Sequence, residues 1–483
     1  MERFEDWPVD AVEQGIREDA GEWAGMRGYC HGRHVVGPSS LAHILCEDSV
    51  ARATDGAGVT AVTARHGFDV ERLRADFPNL RRQVNGRRLV YLDSANTSQT
   101  PTQVVTAMRE HHERHTSNVG RSVHTLGLEA TEAYETARAD VAAFIGAGAS
   151  GEVVFAKNST EAINLVAHAF GNSGAGGFDD PRLRLGPGDE VLVTEMEHHS
   201  NLIPWQLLCG RTGAALRWIP LTDDGLLDLS ELDRLVNERT RLVSLVHVSN
   251  ILGTVNPVER IRERAREVGA LVMLDASQSV PHMPVDVTDL DVDFVAFTGH
   301  KMCGPTGIGV LWGRHELLQV MPPFLGGGSM IDAVTMTGAT YAPPPARFEA
   351  GTPPIVQAVG LRAAVGYLRA VGMDAVREHG RELTRHALEG LRSVPRLRLF
   401  GPADARRRGS LVSFALDGID PDAVGKVLDA EGVQVRVGRH CAAPVCTRYG
   451  VPSMIRASFH LYTTAEEIDA LVAALVKVQH VLG

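Results

Sequence analysis

Residues 438–446 read GRHCAAPVC and place Cys441 directly after Arg439 and His440, with a second thiol at Cys446. A cysteine flanked by cations favours its thiolate, the nucleophilic form. The competing readings are an apolar filler and a metal ligand, but one C-x4-C without a second pair is not a structural zinc pattern. Elsewhere several apolar runs end in polar residues. VMLDASQ leaves Asp275 and Gln278, VAFTGHK leaves Thr298, His300 and Lys301, and VHVSN leaves Asn250. FAKNSTEAINL puts Ser159 and Thr160 where a helix begins, and TEMEHHSN offers His198 and His199. Singly, each has a structural reading: Asp275 as a turn cap, Ser159 and Thr160 as helix caps, His300 as a core histidine. Together they supply a phosphate seat at a helix N-terminus, a carboxylate, an imidazole and a lysine. Pyridoxal 5'-phosphate (PLP) needs that set, with Lys for the Schiff base and Asp for the pyridinium nitrogen. No GxGxxG follows an early strand, and FLGGGSM lacks the Lys-Ser/Thr of a P-loop, so nucleotide binding is the weaker reading. Lysine occurs only at Lys157, Lys301, Lys426 and Lys477. Arginine cannot serve as a neutral amine nucleophile, so each lysine invites a reason.

The elements that must position these residues become regular from Phe68. DVERLRADF predicts a short helix, RRLVYLDSA a strand and TEAYETARADVAAFIG an amphipathic helix. EVVFAKNSTEAINLVAHAF reads as strand, turn and helix, and DEVLVTEMEHHSN as a strand entering a loop. RLVSLVHVSN, LVMLDASQS and VDFVAFTGHK read as further strands, with the helix NPVERIRERAREVGA between the first two. These strands are continuous apolar runs, as expected of a parallel sheet covered on both faces. Alternation with helices predicts an α/β fold, with ligands beyond the carboxyl ends of the strands. After APPPARFEAGTPP come a long helical stretch, VQAVGLRAAVGYLRAVGM, and the separated strands LVSFALDG and VQVRVG. They predict a smaller α+β lobe that carries Cys441.

The 483 residues suffice for two lobes around ample core. A net charge of −11 argues against broad nucleic-acid binding, and no apolar run suits a membrane span. The start, MERFEDWPVD, is acidic and lacks the basic start and apolar core of a secretory signal. Six cysteines in so long a chain are not a disulfide framework, which points to the cytoplasm. Residues 1–66 stand apart, with Trp7, Trp23, Cys30 and Cys46, a short amphipathic stretch (WPVDAVEQGIREDAGEWAGM) and a linker (ATDGAGVTAVTARHG). A partly disordered tail and a docking segment are the two readings. Cys30 and Cys46 with His31, His34 and His43 match no standard zinc spacing.

YLDSANTSQTP, NSTEAINLVA, EMEHHSNLIPWQ, LDASQSVPH, FTGHKMCGPTGIGVL, LGGGSMI, RFEAGTPP, VRVGRHCAAP and RASFHLYTT occur in that order. From about Phe68 to the C-terminus the chain thereby resembles the SufS-type group II cysteine desulfurases of the class V aminotransferase family. The resemblance implies a fold-type I PLP-dependent transferase with a mostly parallel sheet of the seven-stranded type. It divides the chain into an extension (1–66), an N-terminal part of the small domain (67–90), a large PLP-binding domain (91–365) and a small C-terminal domain (366–483). Lys301 would bind PLP covalently, His198 stack on its ring and move protons, Asp275 meet the ring nitrogen and Gln278 the ring hydroxyl. Thr160, Thr298 and His300 would hold the phosphate, and Thr352 would reach the phosphate of the other subunit of a homodimer. Asn250 and Arg456, with Arg436, would hold the carboxylate of L-cysteine. Cys441 would take the sulfur as a persulfide, its pKa lowered by Arg436, Arg439 and His440, and L-alanine would leave. No metal site is implied. The sulfur would pass to an acceptor of the SufE or SufU type, for iron–sulfur cluster assembly. Selenocysteine lyase activity and recruitment to sulfur-containing metabolites are the alternatives. Docking of residues 1–66 would be to a scaffold, a sulfur acceptor or a protein shell. Three positions depart from the family pattern: Arg439 and Gly120, where relatives commonly have histidine, and Ser277, a small change expected to be tolerated. Cys446 is either a relay thiol or a neutral neighbour.

Overall fold

The computed structural model describes residues 68–482 apart from 121, 175 and 176. The readings on residues 1–66, including Cys30 and Cys46, lie outside the described residues. The labelled elements run in chain order. They begin β1 (Val90–Tyr91), α1 (Thr102–Arg114), α2 (Thr125–Phe144), β2 (Val153–Ala156), α3 (Ser159–Gly171) and β3 (Glu190–Thr194). Next come α4 (Ile203–Thr212), β4 (Ala215–Ile219), β5 (Thr240–Val246), α5 (Val258–Glu267), β6 (Leu271–Asp275), β7 (Phe294–Thr298) and β8 (Gly309–Gly313). The C-terminal part holds α6 (Ile355–Val371), α7 (Met373–Arg392), β9 (Leu397–Phe400), β10 (Leu411–Leu416) and α8 (Pro421–Ala430). It ends with β11 (Val433–Gln434), β12 (Arg436–Gly438), β13 (Met454–Ser458) and α9 (Ala465–Leu482).

Seven strands form one sheet in the order β2-β8-β7-β6-β5-β3-β4. Only β8 runs against its neighbours. Alternation along each strand explains the continuous apolar runs. Val154, Val193, Leu242, Met273 and Phe294 point into one core beneath α3 and α4. Their chain neighbours Phe155, Leu192, Val243, Leu274 and Val295 point into the other, with α5 and α6. Both faces are covered, so the strands carry no polar face.

The second sheet is four-stranded and antiparallel, in the order β9-β10-β13-β12. The helices α7 and α9 cover it through Leu383, Leu388, Leu391, Ile468, Leu471 and Leu475. The sequence expectations omit α7, although its buried residues recur at helical spacing. The N-terminal β1 pairs in parallel with β11, and Asp93 bridges to Ser458, so the segment before the large sheet joins the small lobe. RFEAGTPP is tied back to the large sheet by a buried ion pair. Glu349 accepts from Arg138 Nη1 at 2.6 Å, from the Phe155 N–H at 2.7 Å and from Tyr134 Oη at 2.8 Å.

Candidate active site

A cavity of about 230 Å³ opens where the large sheet ends and the β12–β13 segment of the small lobe approaches it. One wall begins at α3. Asn158 caps this helix by accepting the Glu161 N–H at 3.0 Å, and Glu161 returns the bond by accepting the Lys157 N–H at 2.6 Å. Asn158, not Ser159 or Thr160, is therefore the cap. Helix geometry leaves the N–H groups of Ser159 and Thr160 without intrahelical partners, at the positive end of the dipole. The antiparallel β8 passes directly behind this turn. A Cβ at Gly309 would collide with the Asn158 backbone, so the position admits only glycine without a shift. Thr298, at the end of β7, has a buried hydroxyl with no hydrogen-bond partner among the described residues. His300 Nδ1 lies 3.2 Å from Thr97 Oγ1, and burial, helped by the Lys301 charge, lowers its pKa to about 4. Thr160 Oγ1 is paired with Ser200 Oγ at 2.6 Å. Free helix N–H groups beside an unpartnered hydroxyl make a seat for a phosphate.

Lys301 follows β7 on a short 3₁₀ turn, Gly299–Lys301. Enclosure by protein pushes its pKa down to about 8, against the opposing pull of the Asp275 carboxylate and the Cys441 thiol. Asp275 is buried at the end of β6, where Oδ1 accepts the Ser277 N–H at 3.0 Å. Gln278 is also buried, and its Nε2 donates to Ala95 O at 2.7 Å. Neither lines the open cavity. His198 does line it. Its Nδ1 accepts the Ser200 N–H at 3.0 Å, so the neutral ring carries its proton on Nε2. Burial, and then the Lys301 charge, lowers its pKa to about 3, which keeps it neutral. The preceding residue, Glu197, is buried and takes hydrogen bonds from Thr194, Asn201 and Val246. Burial raises its pKa to about 8.

The small lobe brings the remaining groups. Arg456 on β13 donates from Nη1 to Asn250 O at 2.8 Å and from Nη2 to Asp93 Oδ1 at 3.2 Å. Its buried Nε has no partner among the described residues. Arg436 lies opposite Arg456 across the β12–β13 pair, and both line the cavity. Asn250 donates from Nδ2 to His440 O at 2.7 Å. Asp93, unremarked in the sequence, is thus what holds the Arg456 guanidinium in place.

Cys441 is exposed and lines the same cavity as Lys301 and His198. The expectation for its flanking cations needs correction. His440 is buried, its Nε2 donates to Met454 O at 2.9 Å, and burial lowers its pKa to about 3. It is neutral and supplies no charge. Arg439 donates from Nε to Pro452 O and does not line the cavity, and its charge is felt at Cys446. Of the three expected cations only Arg436 remains, joined by Arg456. Cys446 is 1% exposed, and burial raises its pKa. That favours the neutral reading over the relay one, because a buried, protonated thiol is a poor acceptor of sulfur. Thr352 lies outside the cavity, exposed, with its Oγ1 accepting from Asn118 Nδ2 at 3.3 Å. Gly120 has a φ of +95°, a conformation that residues with side chains rarely adopt. Among the described residues, no cluster of His, Cys, Asp or Glu could hold a metal ion.

The profile of the aminotransferase class-V family matches residues 90–471. This chain belongs to the aminotransferase class-V family. The class-V chain is 58% identical over 417 residues to the probable cysteine desulfurase of Streptomyces coelicolor, covering 86% of this chain and 98% of that protein. It is 52% identical to the probable cysteine desulfurase 2 of Mycobacterium leprae, again over 417 residues, 86% of this chain and 98% of that protein. Among solved structures it resembles the S-sulfonic acid form of the cysteine desulfurase CsdA from Escherichia coli. The TM-score is 0.78 at 36% identity, covering 86% of this class-V chain and all of that one. The apo cysteine desulfurase of Thermococcus onnurineus NA1 matches with a TM-score of 0.78 at 38% identity, over 84% and 99% of the two chains.

Proposed function

We propose that this class-V enzyme is a PLP-dependent cysteine desulfurase that converts L-cysteine to L-alanine and receives the sulfur on Cys441. The observation that carries the reading is one cavity shared by an exposed thiol, Cys441, and an enclosed amine, Lys301, beside a phosphate seat. PLP suits the unpartnered Thr298 hydroxyl and the first turn of α3 at its phosphate, Asp275 at its ring nitrogen and Lys301 as its attachment. When bound, PLP supplies an electron sink next to the substrate Cα.

The chain's own residues do the rest. Arg456 and Asn250, with Arg436, bind the substrate carboxylate, and Asp93 fixes the guanidinium that receives it. The Lys301 amine, its pKa already near neutrality, takes the Cα proton. His198 holds a proton on Nε2 at the cavity wall. The Cys441 thiolate attacks the substrate sulfur. A new S–S bond forms, the Cβ–S bond breaks with its electron pair moving to carbon, and one proton added at Cβ and one returned by Lys301 to Cα complete L-alanine. One thiol and one L-cysteine become one persulfide and one L-alanine.

The exposure of Cys441 suits hand-over to an acceptor of the SufE or SufU type, with iron–sulfur assembly as the destination. The motif order supports the SufS-type group II subtype. The position of Thr352 outside its own cavity suits a homodimer in which it serves the other subunit. Cys209, Cys303, Cys441 and Cys446 are all free thiols, which suits the cytoplasm. A spectrum and an alanine-plus-sulfide assay, comparing wild type with Cys441→Ala, test the reading. The expected result is a PLP absorbance band in both and desulfuration in wild type alone. Cysteine turnover untouched by the variant would remove Cys441 as the nucleophile.

A further inference from the structure

We infer that His199, the second histidine of EHH, is the positioning residue for Cys441. This rests on the desulfurase reading only in taking Cys441 as the sulfur acceptor. His199 grips the loop at that residue and two positions beyond it. Its backbone N–H donates to Cys441 O at 2.6 Å, and its ring Nε2 accepts the Ala443 N–H at 3.1 Å. The loop needs such a grip. His440 and Cys441 have φ of 49° and 55°, successive left-handed conformations in residues with side chains. That backbone persists only where its surroundings over-determine it. Asn250 and Met454 hold His440 at the base of the loop, and His199 holds the stretch carrying the thiol. Acceptance at Nε2 requires a neutral ring with its proton on Nδ1, and burial lowers the His199 pKa in that direction. The two histidines therefore divide the work: His198 faces the cavity, and His199 ties the large lobe to the loop that delivers sulfur chemistry.

The test compares the wild-type holoenzyme with His199→Ala and His199→Gln, the latter restoring an acceptor oxygen at similar reach. The first readout is the single-turnover rate of persulfide formation on Cys441 with L-cysteine. Losing one hydrogen bond from a strained loop should slow His199→Ala about tenfold, with KM for L-cysteine within about twofold, and His199→Gln should recover most of the rate. The second readout needs no turnover: the ratio of Cys441 alkylation rates by iodoacetate and by iodoacetamide. A thiol held beside Arg436 and Arg456 prefers the anionic reagent, so the ratio should fall in His199→Ala and return in His199→Gln. The inference is overturned if His199→Ala keeps both values. It is equally overturned if His199→Gln is as impaired as His199→Ala while the PLP spectra match. A wild type that forms no persulfide would sink the desulfurase reading, and the alkylation ratios would still decide the role of His199.

Discussion

At the residue scale, burial decides the chemistry more than residue type does. Lys301, His198 and His440 are all formal bases, yet enclosure lowers the pKa of each, to about 8, 3 and 3. The amine is the useful case. An ordinary lysine loses its proton near 10.5, whereas Lys301 does so near 8. Only the neutral amine attacks an aldehyde, so its reactive fraction rises as pH climbs through about 8 and levels above it. The rate of PLP capture by cofactor-free chain, followed by absorbance from pH 6 to 10, should therefore plateau just above 8. A rate still climbing at pH 10 would contradict the enclosed amine. Lys301 and His198 are legible in TGHK and EHH because their spacing from strand ends is local. The neutrality of His440 is not, because Met454 and the burial that enforce it come from elsewhere in the chain.

At the element scale, α3 has to start in one place for its N-terminus to face the cavity. Asn158 and Glu161 set that start reciprocally. Replacing Asn158 by alanine should cost about 1 kcal/mol of stability, the usual worth of such a cap. On the proposed reading the same turn seats the phosphate, so the variant should also bind PLP more weakly. Denaturant melts and a PLP titration check the two effects, and a variant that moves neither would show the cap to be idle. The strand–turn–helix reading of FAKNSTEAINL is legible because apolar periodicity switches within a few residues. The reversed direction of β8 is not, since a buried strand has the same apolar run whichever way it points.

At the scale of the whole molecule, the two lobes must hold their ends of the cavity together. Arg456 reaches Asn250 and Asp93, and RFEAGTPP is pinned to β2 by Glu349. The Glu349–Arg138 pair is buried on both sides, with side-chain exposures of 9% and 2%. Glu349→Ala would leave the guanidinium with Glu135 and the Val153 carbonyl, but would strip the Phe155 N–H and the Tyr134 hydroxyl of their acceptor, at a cost of about 1–3 kcal/mol. Chemical denaturation of the variant should show a loss of that size. A variant as stable as wild type would mean that Glu135 and water satisfy every group Glu349 leaves behind.

The amino-acid sequence by itself determined the α/β alternation, the family motifs and the set of chemically capable residues. Each of these is written in periodicity or in residues a few positions apart. The tertiary structure alone decided which of those residues act together. GRHC offers Cys441 two neighbouring cations, and the fold withdraws both: His440 becomes neutral by burial and Arg439 turns to Pro452. In their place it brings Arg456, from β13, and the tether of His199, from beyond β3. Charge and direction at a site depend on desolvation and on contacts between distant segments, and neither is encoded in local spacing.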